Sequence, residues 1–294
     1  MSKVNPRISI VTTNYNGASY LEEAIQSVLG QNYQNLEYII IDGGSTDGSQ
    51  KIIEKYEKRL AYWESEKDRG FAHAYNKGFA RATGDILGYL NSDDMYCPWA
   101  FEMVGRSFSD IPEMQWLTTL FPMGHSPEAG FITLAPAQPY NRELFYANFY
   151  DGRILQWVQQ ESTFWRRSLW QKAGGYLNER LKLAIDSELW ARFFEFTELY
   201  AITTPLGGFR GRPDSKSGLH LSEYLDEMSQ ALNSSIARTG MKINLRPKHV
   251  NPFTARLLNS PRRVVPRRWR YCGKVVTWNF VEKKFSAQDT IIRF

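Results

Sequence analysis

The stretch "ISIVTTNYNGASYLEEAIQSVL", residues 8–29, holds two periodicities back to back. Ile8 to Thr12 is a short β-branched run suited to a buried strand. After the turn Asn14-Tyr15-Asn16-Gly17, residues Leu21, Ala24, Ile25, Val28 and Leu29 recur at helical spacing and mark one apolar face. The pattern repeats downstream. Residues 36–41 form an isoleucine-rich run too short for most helices, which predicts a second buried strand. It stops at Asp42-Gly43-Gly44-Ser45-Thr46-Asp47-Gly48, and a helix follows through Ile52, Ile53, Tyr56 and Leu60. A short strand is predicted over 62–65, a third helix over 70–82 closed by Gly84, and another strand over 86–90. Strands alternating with helices imply βαβ units, and hence an α/β, Rossmann-like fold: a mainly parallel sheet with helices on both faces.

Beyond residue 95 the pattern is less regular. Residues 116–121 and 130–134 read as strands, and 167–173 as a helix ended by Gly174-Gly175. Ile185, Leu189, Trp190, Phe193 and Phe194 mark an aromatic-rich helix. Leu221, Leu225, Met228, Leu232 and Ile236 outline a longer one ending near Gly240. Domain boundaries follow: 1–240 as one domain, in two parts over about 6–95 and about 96–240, and then an extension over 241–294.

Apolar residues make up 43% of the 294 and aromatics 14%, enough for a sizeable core. No apolar run is long enough to span a bilayer, and the N-terminus lacks the apolar stretch of a signal peptide. Cys97 and Cys272 offer neither a disulfide framework nor metal-ligand spacing, so a reducing, cytoplasmic setting is expected. The four histidines are scattered without ligand spacing. Charge is divided unevenly: residues 241–294 carry 13 Lys and Arg against 2 Asp and Glu, the first 240 carry 23 against 29. A basic tail interleaved with Trp, Tyr and Phe points to an anionic surface.

In an open parallel sheet, ligands bind beyond the carboxyl ends of the strands. Three such ends here carry polar loops: 12–17, 42–48 and Asn91-Ser92-Asp93-Asp94. Neither G-x-G-x-x-G nor G-x-x-x-x-G-K-[ST] occurs, so a nucleotide would bind without a glycine-rich phosphate cradle. Two adjacent carboxylates at a strand end suit Mg²⁺ or Mn²⁺, which are commonly held by one or two carboxylates plus substrate phosphates.

"ISIVTTNYNGASYLEEAIQSVLGQ", "YIIIDGGSTDGS", "NKGFARATGDILGYLNSDD" and "AIDSELWARF" follow one another in the order and spacing of the family 2 glycosyltransferases. Over residues 6–215 the chain resembles this inverting family of GT-A fold, which uses nucleotide-sugar donors, and in particular bacterial members that build surface polysaccharides. The resemblance implies that Thr13, Asn14, Tyr15 and Asn16 line the base and ribose, and that Asp42 hydrogen-bonds the base, commonly uracil. Gly43 stands where a second acid is usual. Asp68 and Arg69 match the stretch that closes over the nucleotide. Asn91-Ser92-Asp93 occupies the family's D-x-D position with its first acid replaced, leaving Ser92 beside the nucleotide and Asp93 and Asp94 for a divalent cation, Mn²⁺ or Mg²⁺. Asp186 matches the general base, with Glu188 in reserve. Glu161 and Trp165 fall on the acceptor side, and Arg210, Arg212 and Lys216 in the loop that folds over the diphosphate.

The function implied is transfer of one sugar, since the Q-x-x-R-W motif of processive members is absent. The donor would be a nucleotide sugar, UDP-linked, and the acceptor a lipid-linked or growing polysaccharide. The basic tail would then lie on the anionic inner face of the cell membrane; no nucleic-acid-reading module is evident, and a homo-oligomer is left open. Two rival readings are a nucleotide-sugar-binding protein that has lost catalysis, suggested by Gly43 and Asn91, and a sugar-nucleotide pyrophosphorylase, whose N-terminal glycine-rich phosphate loop is missing.

Overall fold

The computed structural model describes residues 5–134, 136–213, 215, 219–243 and 271–292. Strand β1 (Ile8–Asn14) is buried along its whole length and lies at the heart of the sheet. It pairs in parallel with β2 (Leu36–Asp42) on one side and β4 (Ile86–Asn91) on the other. Strand β3 (Tyr62–Ser65) pairs with β2 at the edge. Runs such as IIID are apolar on both faces because helices cover both. The covering helices are α1 (Ala18–Leu29), α2 (Ser49–Glu54) and α3 (Phe71–Arg81). The second helix is shorter than predicted: after Glu54 the chain tightens into a 3₁₀ turn over Glu57–Arg59. Gly78 lets α3 sit directly on the sheet, since a side chain there would strike Val11 and Ile41.

Past β4 the chain forms β5 (Met95–Tyr96), α4 (Ala100–Asp110), β6 (Trp116–Thr119), β7 (Met123–His125), β8 (Phe131–Leu134) and α5 (Arg142–Tyr146). There follow β9 (Phe164–Arg166), α6 (Arg167–Lys172), α7 (Ile185–Phe194), β10 (Tyr200–Ile202), β11 (Gly207–Arg210) and α8 (Leu221–Thr239). Gly174 and Gly175, at φ 108° and 71°, turn the chain out of α6 as the sequence suggests. Strand β9 runs antiparallel between β4 and β6. A second sheet, in the order β5-β11-β7-β8, lies apart from the first. One core cluster gathers Trp116, Trp165, Trp190, Phe193 and Phe194, and another gathers Ile10, Ile25, Ile40, Phe101 and Phe164.

The boundary expected at residue 240 does not hold for the end of the chain. Strands β12 (Cys272–Asn279) and β13 (Lys284–Ile291) form a hairpin that extends the main sheet, β12 pairing in parallel with β10. The full order is β13-β12-β10-β6-β9-β4-β1-β2-β3. Asp110 at the end of α4 accepts the backbone N–H of Phe285 at 2.8 Å, and the Arg106 guanidinium lies 4.5 Å over the Trp278 ring. Trp278 and Phe285 of this segment therefore pack on the protein, while Phe280 in the hairpin turn is exposed. Eight of the tail's 13 basic residues fall within 244–270, outside the described residues. Among the described residues, no helix is long and apolar enough to cross a membrane.

Candidate active site

Strand order reverses around β1: the chain moves outward to β2 and β3, then returns through α3 to β4 on the other side. The loops after β1 and β4 therefore diverge from one crevice at the carboxyl ends, the usual place for a ligand. They meet at Gly17, where a Cβ would strike Asn14 and come within 2.9 Å of the Ser92 hydroxyl.

Asp42, at the end of β2, is completely buried. Its carboxylate accepts from Asn14 Nδ2 at 2.7 Å, from the Ser45 hydroxyl and backbone N–H at 2.6 and 2.9 Å, and from the Ser65 hydroxyl at 2.5 Å. With both oxygens engaged by the protein, Asp42 organises the loop rather than presenting an acceptor to a base. Asn14 and Asn16 share that work: Asn16 accepts the Thr46 N–H at 2.9 Å and donates its own to Ser45 at 2.8 Å. Asp47 accepts the Ala18 N–H at the start of α1 and the Ser49 N–H at the start of α2, linking both helix N-termini. What faces solvent in this crevice is Tyr15, 69% exposed, and beside it Asp68. A Cβ on Gly43 would lie 2.7 Å from Asp68 Oδ2 and 3.3 Å from Tyr15. The carboxylate missing at position 43 is thus matched by one reaching over from 68, whose Oδ1 accepts the Gly70 N–H at 2.7 Å ahead of α3. Thr13 is buried in β1.

At the end of β4, Asn91 is a junction. Its Oδ1 accepts from the Tyr75 hydroxyl at 3.0 Å and from Gln160 Nε2 at 3.3 Å, while its Nδ2 donates to Asp94 at 2.9 Å. Asp94 is fully buried and also accepts the Arg210 backbone N–H at 2.8 Å. Burial, reinforced by neighbouring Asp93, pushes its carboxyl up to about 8. Asp94 therefore supports the loop from behind, with one oxygen on Asn91 and the other on Arg210. Asp93 is half-buried and pairs with Arg212 at 3.1 Å. Glu161, 3% exposed, is raised well above the carboxylate range by burial and by Asp94, Asp186 and Asp93. Its Oε1 finds no hydrogen-bond partner among the described residues. Four acids share one electrostatic neighbourhood. The donor set is hard carboxylate oxygen, which fits Mg²⁺ or Mn²⁺. Among the described residues no three Asp, Glu, His or Cys side chains are arranged to hold a metal, so further oxygens would have to come from a bound diphosphate.

Asp186 sits in the first turn of α7. Its carboxylate accepts from the Tyr224 hydroxyl on α8, at 3.1 Å to Oδ1 and 3.3 Å to Oδ2. A helix N-terminus favours the ionised form, yet burial outweighs it and the carboxyl is pushed up to about 6. Such a group is still mostly ionised near neutrality and is a stronger base than an ordinary aspartate. Glu188 is not its understudy, because it pairs with Arg192 at 2.8 Å.

Three further expectations fail on geometry. Trp165 is fully buried in β9, its ring 5.5 Å from Tyr89 and 5.7 Å from Trp190, so it is core and cannot stack on an acceptor sugar. Arg210 is fully buried too: Nε donates to the Asp93 carbonyl at 2.6 Å, Nη1 to the Pro127 carbonyl at 2.6 Å and Nη2 to Glu23 at 2.5 Å. Its guanidinium joins the second sheet to α1 and does not reach out to a phosphate. Arg69 points to Glu179, 2.8 Å away on an exposed face. Lys216 lies outside the described residues. Tyr224 and Tyr75 were missed from sequence. A second helical spacing through Tyr224, Met228, Ala231, Leu232 and Ser235 is the buried face of α8 and would have flagged the tyrosine.

A doubly covered sheet with acids gathered at its switch point and a half-buried aspartate on an adjoining helix defines a GT-A type of sugar-transferase architecture. Residues 9–113 match the model of the family described as Glycosyl transferase family 2. The putative teichuronic acid biosynthesis glycosyltransferase TuaG of Bacillus subtilis is 38% identical over 99 residues, 33% of this chain and 39% of that protein. TarS of S. aureus (residues 1–349), solved in complex with UDP-GlcNAc, superposes with a TM-score of 0.60 at 16% identity, covering 86% of this chain and 72% of that one. The mannosyltransferase PcManGT of Pyrobaculum calidifontis, in complex with GDP-Man and Mn²⁺, does so with a TM-score of 0.53 at 16% identity, covering 88% and 82%. The chain carries a family 2 glycosyltransferase domain over residues 9–113, in a GT-A fold similar to that of TarS. It spans 61% and 63% of the length of two bacterial relatives, named only as uncharacterized glycosyltransferases, that it matches at 27% and 30% identity.

Proposed function

We propose that this protein transfers one sugar, with inversion, from a UDP-linked donor to a hydroxyl of a lipid-linked or growing surface polysaccharide. The observation that carries the reading is Asp186: a carboxylate raised to about 6, held by Tyr224 on a helix beside the acidic crevice. Direct displacement at the anomeric carbon requires the acceptor hydroxyl to lose its proton as it attacks, and Asp186 takes that proton. Tyr15 offers an exposed ring to the base, Asp68 Oδ2 an acceptor for a base N–H, and Ser92 a hydroxyl near the ribose. The UDP-GlcNAc and teichuronic acid associations of the similar proteins support the donor and acceptor classes.

Asp93 is the residue that would hold a divalent cation, as the carboxylate of the loop turned to the crevice; the similar mannosyltransferase was solved with Mn²⁺. Such an ion supplies Lewis-acid stabilisation of the leaving nucleoside diphosphate. Arg212, now paired with Asp93, is placed to turn toward the phosphates as the charge on Asp93 is taken up. The departure at Gly43 has a structural counterpart in Asp68, and at Asn91 the amide braces the loop that carries Asp93 through its bond to Asp94. We extend the proposal to the basic segment 244–270 as the contact with anionic lipid.

The test is Asp186→Asn, assayed with a panel of nucleotide sugars with and without Mn²⁺. Turnover is expected to fall at least 10³-fold, on the order expected when the base is lost, while UDP binding by calorimetry stays unchanged. Retained turnover would remove Asp186 as base, and absence of any metal-dependent binding of a nucleoside diphosphate would remove the function.

A further inference from the structure

Glu188, the nearest acid on α7, is committed to Arg192. Besides the backbone N–H groups at the start of α7, the group that holds Asp186 is a side chain of α8. The Tyr224 hydroxyl lies 3.1 and 3.3 Å from the two carboxylate oxygens and 2.8 Å from the Ser187 hydroxyl. Tyr224 is 8% exposed and its ring meets Trp157 edge-on at 5.2 Å, so the hydroxyl has little freedom to leave. One turn further along α8, Glu227 accepts the backbone N–H groups of Lys182 at 3.1 Å and of Leu183 and Ala184 at 2.9 Å, which immediately precede α7.

From these contacts we propose that Tyr224 is a positioning residue for the general base, holding the Asp186 carboxylate in one orientation and favouring its ionised form. This rests on the reading of Asp186 as the base. A phenol hydroxyl donating to a carboxylate stabilises the charge, and burial keeps this phenol protonated by raising it well above its ordinary range. Without it, Asp186 would face the raised Glu161 on one side and Tyr89 of β4 on the other, while Glu227 stays bound to the backbone. The backbone N–H of Ser187 would remain on the carboxylate, and the Tyr89 hydroxyl, although near, makes no hydrogen bond to it. The carboxyl would then hold its proton to higher pH, and more of the base would be idle at neutrality.

Tyr224→Phe keeps the ring and removes only the hydroxyl. The full-length protein is measured in two ways. First, thermal unfolding of wild type, Tyr224→Phe, Asp186→Asn and the double variant is followed from pH 5 to 8. The loss of Tm in Tyr224→Phe should grow as pH rises through about 6, where Asp186 ionises, and should be flat in the Asp186→Asn background. Second, with whichever nucleotide sugar turns over, the acidic limb of kcat should move up by about one pH unit. The donor KM should stay as it is. A Tm loss equal at pH 5 and pH 8, together with an unmoved limb, would show tyrosine packing alone and overturn the inference. Turnover surviving in Asp186→Asn would defeat the reading beneath it, a result separable from the first because it does not involve Tyr224.

Discussion

Asn91 does something at its position that a carboxylate could not: its amide donates to the buried Asp94 while its carbonyl receives Tyr75 and Gln160. Restoring the acid by Asn91→Asp would set a second carboxyl against one already pushed up to about 8 and leave Asp94 with the Arg210 backbone N–H but without its side-chain donor. A destabilisation of about 2 kcal/mol is expected, read as a lower urea midpoint at pH 7. The same variant should not bind Mn²⁺ more tightly. If it does, and is as stable as wild type, Asn91 is merely a lost ligand. At this scale the sequence was readable for residue type but not for direction. The family resemblance, and for Asp94 its place beside Asp93 at a strand end, implies ligand-facing roles for Asp42, Asp94 and Arg210. Each is instead buried with its hydrogen bonds satisfied internally, as a buried charge must be.

Among elements, the pairing of α7 with α8 decides how Asp186, the proposed base, is held. Glu227 closes the N-terminus of α7 from outside, satisfying backbone donors that the helix itself leaves open. Glu227→Gln keeps the size but removes the charge that complements the helix dipole. It should cost about 1 kcal/mol and speed amide exchange at residues 182–188 before any global opening. Exchange unaltered there would mean that α7 is anchored by its aromatic face alone. The apolar stripe chosen from sequence for α8 began at Leu221, yet Leu221 is 45% exposed and the buried face starts at Tyr224. Both stripes have helical period, and only the packing partner distinguishes them.

For the molecule as a whole, the C-terminal hairpin makes the sheet one cooperative body. Phe285 is 5% exposed, belongs to the same core cluster as Phe101 and Phe164, and hands its backbone N–H to Asp110. Phe285→Ala should therefore lower global stability by about 3–4 kcal/mol, with one unfolding transition seen alike by tryptophan fluorescence and circular dichroism. A separate low-temperature transition, with the main one unmoved, would show the hairpin to be an independent appendage.

Local periodicity and turn chemistry determined the first half of the fold. Buried parallel strands must be apolar throughout, their helices must show one apolar face, and glycine-rich polar loops must follow the strands that bear the site. The same constraints, with the family's motif order, single out Asp93 and Asp186 as the residues on which the proposed function rests. The tertiary structure alone decided what long-range contact decides. A hairpin about 70 residues after β10 pairs beside it, Trp165 joins the core, Asp68 stands at Gly43, and Tyr224 meets Asp186 from 38 residues away. Such contacts depend on which surfaces are brought together when apolar area is buried, and no spacing within a single segment encodes that.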